Sequence, residues 1–360
     1  MMLKRLFRNE ETYIARRCAP ALLLLAGVTF LPPLSQAQVD LGPVTIGAGM
    51  RTSFTHTEPD GGASTDKFEL GSARLYVNGS ITKEIKFMFN TEYDGANNKI
   101  GVLDAVARFE INPKFNIWAG RLLPPSDRAN LSGPYYANVW GVYTDGIQNG
   151  HPFVFQGRDN GVTYWGDFGK MLKVSAGAYD GGSANGVNKV IGAARVQLDF
   201  WDKEDGHYLN STYYGDKNLL ALGGATQVQD GKTATTVDFL LEKKLGNGGV
   251  VTLESEYSNY NGLGGYDALY NKSQGAYGLA SYLFPKAVGM GKFQLLGKFA
   301  SAEFTHGGKS ENYNQKTTEV NVNYVIKQFK ARVMTFFRET TFDKVRKDSF
   351  QAGIGLQIQM

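Results

Sequence analysis

Phe350-Gln-Ala-Gly-Ile-Gly-Leu-Gln-Ile-Gln-Met360 alternates without a break. Phe350, Ala352, Ile354, Leu356, Ile358 and Met360 fall on one side of an extended chain. Gln351, Gly353, Gly355, Gln357 and Gln359 fall on the other. Successive strand side chains point to opposite faces, so this ribbon has one apolar and one polar face. The pattern recurs through nearly the whole chain. Working upstream, sixteen strand-like segments alternate with turn signals, from 44–56 and 67–80 to 329–340 and 349–359. In 84–94, Ile85, Phe87, Phe89 and Tyr93 oppose Lys86, Met88, Asn90 and Glu92. In 329–340, Val333 and Phe337 oppose Arg332 and Arg338. A charge in the middle of a lipid-facing strand costs about 2–4 kcal/mol, so the charged faces are expected to line a lumen. The predicted class is all-β, a transmembrane antiparallel barrel of about sixteen strands.

The chain begins with an export-like segment. Lys4, Arg5, Arg8, Arg16 and Arg17 precede the apolar run 19–31, and Ser35-Gln-Ala37 offers small residues for cleavage. Residues 1–37 are therefore read as a signal peptide and 38–360 as the barrel. Removing the five Lys/Arg and two Asp/Glu of the leader leaves 33 basic against 32 acidic residues, about +1, which is no footprint for nucleic acid. The single cysteine, Cys18, lies in the leader. The mature chain then has no disulfide, thiolate metal site or c-type haem attachment.

Connections fall into two classes. Asn112-Pro113, Asp167-Phe168-Gly169, 245–248 and Lys327-Gln328 are tight, whereas 57–66, 122–157, 181–189, 260–274 and 305–316 are long. Short turns on one rim and long loops on the other characterise outer-membrane barrels. Asp202–Lys217 breaks the rule, being long on the short-turn side: either a strand is misplaced there or the turn is elaborated.

The most distinctive internal stretch runs from Arg121-Leu-Leu-Pro-Pro-Ser-Asp-Arg128 through Tyr135, Tyr136 and Trp140 to Gly157-Arg-Asp-Asn-Gly161. It is the third long loop, and connections of this length are usually functional. Folded inward, 122–157 would narrow the channel. Here the chain resembles the phosphate-selective porin O and P family of Gram-negative outer membranes. The resemblance rests on Ala119-Gly-Arg-Leu122 with the Pro-rich loop start, on Gly157-Arg-Asp-Asn-Gly-Val162, and on the strand layout across ~40–360. It implies a sixteen-stranded barrel, commonly a homotrimer, with the third loop in the pore and basic residues holding anions there.

The candidate pore residues are Arg51, Arg74, Lys86, Arg108, Arg121, Arg128, His151, Arg158, Lys298 and Arg332. Arginine and lysine at a constriction attract anions. Alternation, however, places ten basic and ten acidic residues in the lumen, so no basic ladder is visible. Arg128, inside the Pro-framed loop, is the residue expected to tune ion preference if it faces the pore. Tyr135, Tyr136 and Trp140 either stack solutes or anchor the loop to the wall, with anchoring favoured. Tyr93, Trp118, Trp165, Tyr179, Trp201 and Tyr257 are expected in interfacial girdles.

His56, His151, His207 and His306 show no metal-ligand spacing, and there is no nucleophile elbow or Walker loop. Asp94–Asn98 and Asp180–Asn185 are turn-like rather than Ca²⁺ loops. No cofactor or metal is expected, and no enzymatic activity. The sequence reading is a passive outer-membrane channel for small hydrophilic solutes, including anions, in contact with membrane lipid and lipopolysaccharide. The rival is a structural sheath around a partner such as an electron-transfer cytochrome.

Overall fold

The computed structural model describes residues 44–153, 156–181, 189–264, 270–306, 312–344 and 346–360; the expected leader lies outside them, as does most of Asp180–Asn185. Sixteen strands follow one another: β1 (Val44–Pro59), β2 (Thr65–Ser80), β3 (Ile85–Asp94), β4 (Lys99–Asn112), β5 (Phe115–Leu122), β6 (Asp159–Phe168), β7 (Leu172–Tyr179), β8 (Ile191–Asp199), β9 (Leu219–Gln229), β10 (Lys232–Lys244), β11 (Val250–Asn261), β12 (Tyr270–Val288), β13 (Gly291–His306), β14 (Tyr313–Lys327), β15 (Ala331–Phe342) and β16 (Ser349–Gln359). Each pairs antiparallel with its neighbours, and β16 closes the barrel between β15 and β1. Closure leaves no sheet edge, the condition for a strand-built structure in lipid.

The terminal ribbon behaves as its alternation predicts. Ile354 and Ile358 are 48% and 46% exposed on the outside, while Gln357 is fully buried inside. Met360 finishes the seam by exchanging backbone hydrogen bonds with Ala48, 2.9 and 3.2 Å. The same alternation holds in β3, where Phe89 is exposed and Met88, Asn90 and Glu92 are buried, and in β14, where Val320 and Val322 oppose Glu319 and Asn321.

Turn lengths separate the rims only in part, with exceptions on both sides. On the loop rim, β9 and β10 are joined by Asp230 and Gly231 alone, both at positive φ (50° and 78°), as a two-residue hairpin turn requires. On the rim carrying the chain ends, 200–218 is long and no strand is missing there. It is an elaborated turn that folds into the barrel, with Glu204, His207, Ser211 and Thr212 buried.

The girdle expectation holds for part of the set. Trp201 and Tyr257 are exposed on the outside. Trp118, Trp165 and Tyr179 are instead buried and point inward, and Trp118 packs edge-on against Trp165 and His207. The inward-folded turn supplies an apolar floor for them that the strand pattern alone does not reveal.

Candidate functional site

The third loop enters the lumen after β5 and returns at β6. Asp127 caps a short helix, α1 (Arg128–Tyr136), accepting a hydrogen bond from the Asn130 N–H at 2.8 Å. Gly133 breaks the helix with φ 59°. Backbone groups of an irregular segment inside a barrel need partners. The wall supplies them as charged side chains. Asp238 on β10 and Glu256 on β11 accept the N–H groups of Arg128 and Ala129 at 3.3 and 3.1 Å. Arg195 on β8 donates to the Ser126 carbonyl at 3.0 Å. Arg332 on β15 donates to the carbonyls of Tyr135 and Ala137 at 3.1 and 2.9 Å. Arg338 donates to the Trp140 carbonyl at 3.1 Å. Lys298 on β13 meets Asp145 at 2.8 Å. Charge-assisted bonds of this kind are about twice as strong as neutral ones. The loop is thus held along its length.

Arg128 is an anchor too, which corrects the pore-facing expectation. Its side chain is fully buried and grips Glu204 of the inward turn with two bonds, 2.8 and 2.6 Å, and the Asn210 carbonyl at 2.7 Å. Burial alone would neutralise both groups. Their mutual attraction wins, holding the Arg128 guanidinium well above its ordinary value and the Glu204 carboxyl below its own. Ser211 N–H donates to the Tyr136 carbonyl at 3.0 Å, and Asn138 donates to the Ser211 carbonyl at 2.7 Å. Loop and turn therefore form one internal plug.

His151 is also away from any passage. It is buried beside Phe153, its ring nitrogens have no hydrogen-bond partner, and burial lowers it to about 4. His207, in the turn, is lowered by burial to about 4 although its Nε2 lies 3.0 Å from the Leu123 carbonyl. Lys86 and Arg108 face the lumen nearer the chain-end rim. Lys86 pairs with Glu110 at 2.6 Å and Arg108 lies over Trp118. Arg121 does not reach the constriction. It alternates with buried Leu122 and stands in register with Ala105 and Asn160, on the outer parity of β5.

Three arginines remain, of which Arg74 and Arg158 line open space and Arg51 is buried near them. Arg74 grips Glu92 at 2.9 and 3.0 Å and lies over the Tyr135 ring at 4.3 Å. Arg158 reaches Asp104 at 3.2 Å. Arg51 lies 4.0 Å over Trp140, and its Nε and Nη2 are buried without a hydrogen-bond partner. Tyr135 also bonds Ser72 through its hydroxyl at 2.9 Å, Tyr136 packs edge-on against Phe329, and Trp140 covers Gly355. A Cβ at Gly355 would sit 2.6 Å from the Trp140 ring. The loop aromatics are anchors, seated on the wall by cation–π contacts and a glycine.

Two cavities flank this group. One, of about 670 Å³, reaches from Lys330 and Met360 on the chain-end rim up to Arg74, Asn90, Asp104 and Arg158. The other, of about 300 Å³, lies toward the loop rim against Glu92, Asp94, Lys99 and Gln156. The Arg74–Glu92 and Arg158–Asp104 pairs stand between them. The open space is eccentric, along β1–β4, because the plug fills the side of β8–β11.

The inward charges are sorted by position only in part, since Lys173 and Arg195 also lie on the occluded side and Glu92, Asp104 and Glu110 beside the open one. Asp199, Asp238, Glu242, Glu254 and Glu256 lie on the occluded side. Arg51, Arg74, Arg332 and Arg338 lie on β1, β2 and β15, and of these Arg74 lines the larger cavity. Asp94 caps its own turn, accepting from Ala96 and Asn97, and no metal-holding group occurs among the described residues.

No protein-family model matches the sequence, and no curated protein matches it. Solved structures do. The chain is similar to the anion-selective porin of Comamonas acidovorans, with TM-score 0.58 at 12% identity over 88% of this chain and 99% of that one. The fold is that of the outer-membrane porins. A Salmonella typhi OmpF complex with daunomycin gives TM-score 0.59 at 14% identity, covering 89% and 98% of the two chains. The trimer form of Vibrio cholerae OmpT gives 0.55 at 11%, covering 89% and 100%.

Proposed function

We propose that this chain is an outer-membrane porin that lets small hydrophilic solutes diffuse passively, with a mild preference for anions. The observation that carries the reading is the plug: a closed sixteen-strand barrel whose inward loop and turn leave an eccentric passage beside basic side chains. Arg74 and Arg158 are matched by Glu92 and Asp104 while Arg51 has no carboxylate pairing it, so the surplus charge near an anion entering past Glu92 is that of Arg51. The acidic wall lies behind the plug, where its field is spent on loop N–H groups. The anion-selective Comamonas neighbour is in keeping with this preference, as is the resemblance to phosphate-selective porins through Ala119–Leu122 and Gly157–Val162. The export-like leader fits delivery to the outer membrane, and the trimeric OmpT neighbour fits a homotrimer. The sheath reading has little room: the larger cavity, about 670 Å³, is the size of a small-molecule site.

The test is reversal potential in planar bilayers under a KCl gradient, repeated with potassium phosphate. The expected result is steady conductance with a modest shift toward the anion potential. A non-conducting protein or a cation-selective one overturns the reading.

A further inference from the structure

The larger cavity has a lining that passive ion flow does not call for. Its middle is apolar: Leu123 and Leu131 of the loop pack with Leu209 of the inward turn, and Met88 of β3 faces them across the opening. Water gains nothing from such a surface, whereas an apolar ring sheds ordered water on touching it. At the upper end the charged groups are already matched, Arg74 to Glu92 and Arg158 to Asp104. An ionic solute would have to displace one of these partners. Two polar atoms there are left over, the Tyr76 hydroxyl and the side-chain oxygen of Asn90 opposite it. Asn90 gives its Nδ2 to Asp104 at 2.9 Å, while its Oδ1 is buried with no hydrogen-bond partner, on a residue only 6% exposed. A buried unpaired acceptor is costly and asks for a donor. Asn90 and Met88 share the inward face of β3, two residues apart, so donor and ring are wanted side by side.

We propose that this cavity binds small uncharged aromatic solutes carrying a hydrogen-bond donor, such as single-ring carboxamides and phenols. The donor meets Asn90 Oδ1 and the ring lies against Leu123, Leu131 and Leu209. The volume, about 670 Å³, falls within the range of small-molecule sites and exceeds one ring, so substituted rings fit. Because the site lies in the open side of the plugged lumen, occupancy obstructs ion flow. The proposal deepens the channel reading and rests on it for that readout alone.

Benzamide is the probe, with benzoate as its charged isostere. In planar bilayers, benzamide is expected to reduce the ion current saturably and with no voltage dependence, and benzoate to do so at least ~10-fold more weakly. Asn90→Leu should raise the half-blocking concentration of benzamide by ~10-fold or more, the cost of an unmade buried bond. Leu131→Asn should weaken block independently of Asn90. Non-saturating block, equal block by benzoate, or an unchanged half-blocking concentration in Asn90→Leu overturns the site. Calorimetric titration of the detergent-folded protein with benzamide separates this from failure of the channel reading. Saturable heat that Asn90→Leu removes upholds the site even without conductance; its absence in the wild type overturns the site even in a conducting barrel.

Discussion

Glu204→Gln should loosen the plug without disturbing the barrel. The Arg128 guanidinium has Glu204 at 2.6 and 2.8 Å, the Asn210 carbonyl at 2.7 Å and Asp238 at 3.6 Å. Removing one partner of a buried ion pair costs about 3–5 kcal/mol, because the other charge is left behind. Asp238 still offers attraction, though Arg195 shares it, so the lower end, about 3 kcal/mol, is expected here. That is roughly a 150-fold shift in the balance between docked and undocked plug. The remaining loop-to-turn bonds, at Tyr136–Ser211, Asn138–Ser211, Ser132–Ser211, Leu123–Tyr208 and Leu123–His207, each contribute about 1 kcal/mol net and none replaces the lost charge partner. The expected readout is noisier current and higher mean single-channel conductance, with the β-sheet signal of the folded barrel unchanged. Arg128→Met combined with Glu204→Met removes both charges and should return a quiet baseline, since apolar replacement of a buried pair is often neutral. If Glu204→Gln shows wild-type conductance and noise, the pair does not hold the plug and the reasoning fails.

Arg51→Gln should move the KCl reversal potential toward zero with only a small drop in melting temperature, from its lost stacking on Trp140, because its Nε and Nη2 make no hydrogen bond; an unchanged potential would remove Arg51 from the selectivity account. Gly355→Val should displace Trp140 at a cost of about 1–3 kcal/mol and raise conductance as the loop end lifts, whereas Gly246→Val, with open space around its Cβ position, should do neither. Acidification should weaken the plug through His151 and His207. Both are lowered to about 4 by burial, against about 6.5 unfolded, so the unfolded or undocked state binds protons first. Their contribution is full above pH ~6.5, is lost progressively as pH falls, and levels off below about 4, with about 3 kcal/mol at stake for each. Conductance and thermal melts between pH 7.5 and 4 would show this, and His151→Leu should flatten part of the profile.

Strand alternation made the barrel legible because its period is local: each residue's side is fixed by its neighbours in sequence, and a charge facing lipid is penalised wherever it falls. The same parity would have placed Trp118 inside, since it shares a face with buried Asn116. For Trp118, Trp165 and Tyr179, all buried inward, strand parity is a better guide to side than residue type. The glycines of β16 carried another unread signal. Gly353 and Gly355 lie on the polar face, where a side chain could have added a hydrogen bond, and their bareness makes seats for Phe336 and Trp140. The inward turn was visible only as an excess of length at 202–217.

What sequence parity cannot supply is position around the barrel. Ten inward bases against ten inward acids is neutral only if they mingle. Here the plug sorts part of them, Arg195 on β8 being an exception, because an irregular loop presents N–H groups at its helical start and carbonyls further on. The N–H groups of Arg128 and Ala129 need acceptors, and β10 and β11 bring Asp238 and Glu256 to them. The carbonyls of Tyr135, Ala137 and Trp140 need donors, and β15 brings Arg332 and Arg338. The polarity of the loop backbone thus calls for acids on one wall and bases on the other. The field across the passage follows from that anchoring, so residues that appear redundant for selectivity, Arg332 above all, set it by where they hold the loop. Arg332→Gln would then release Tyr135 and Ala137 and change selectivity and conductance together, whereas Arg51→Gln, which leaves the loop backbone's hydrogen bonds in place, changes selectivity with far less effect on conductance. Equal behaviour of the two variants would show that the field does not depend on the loop's placement.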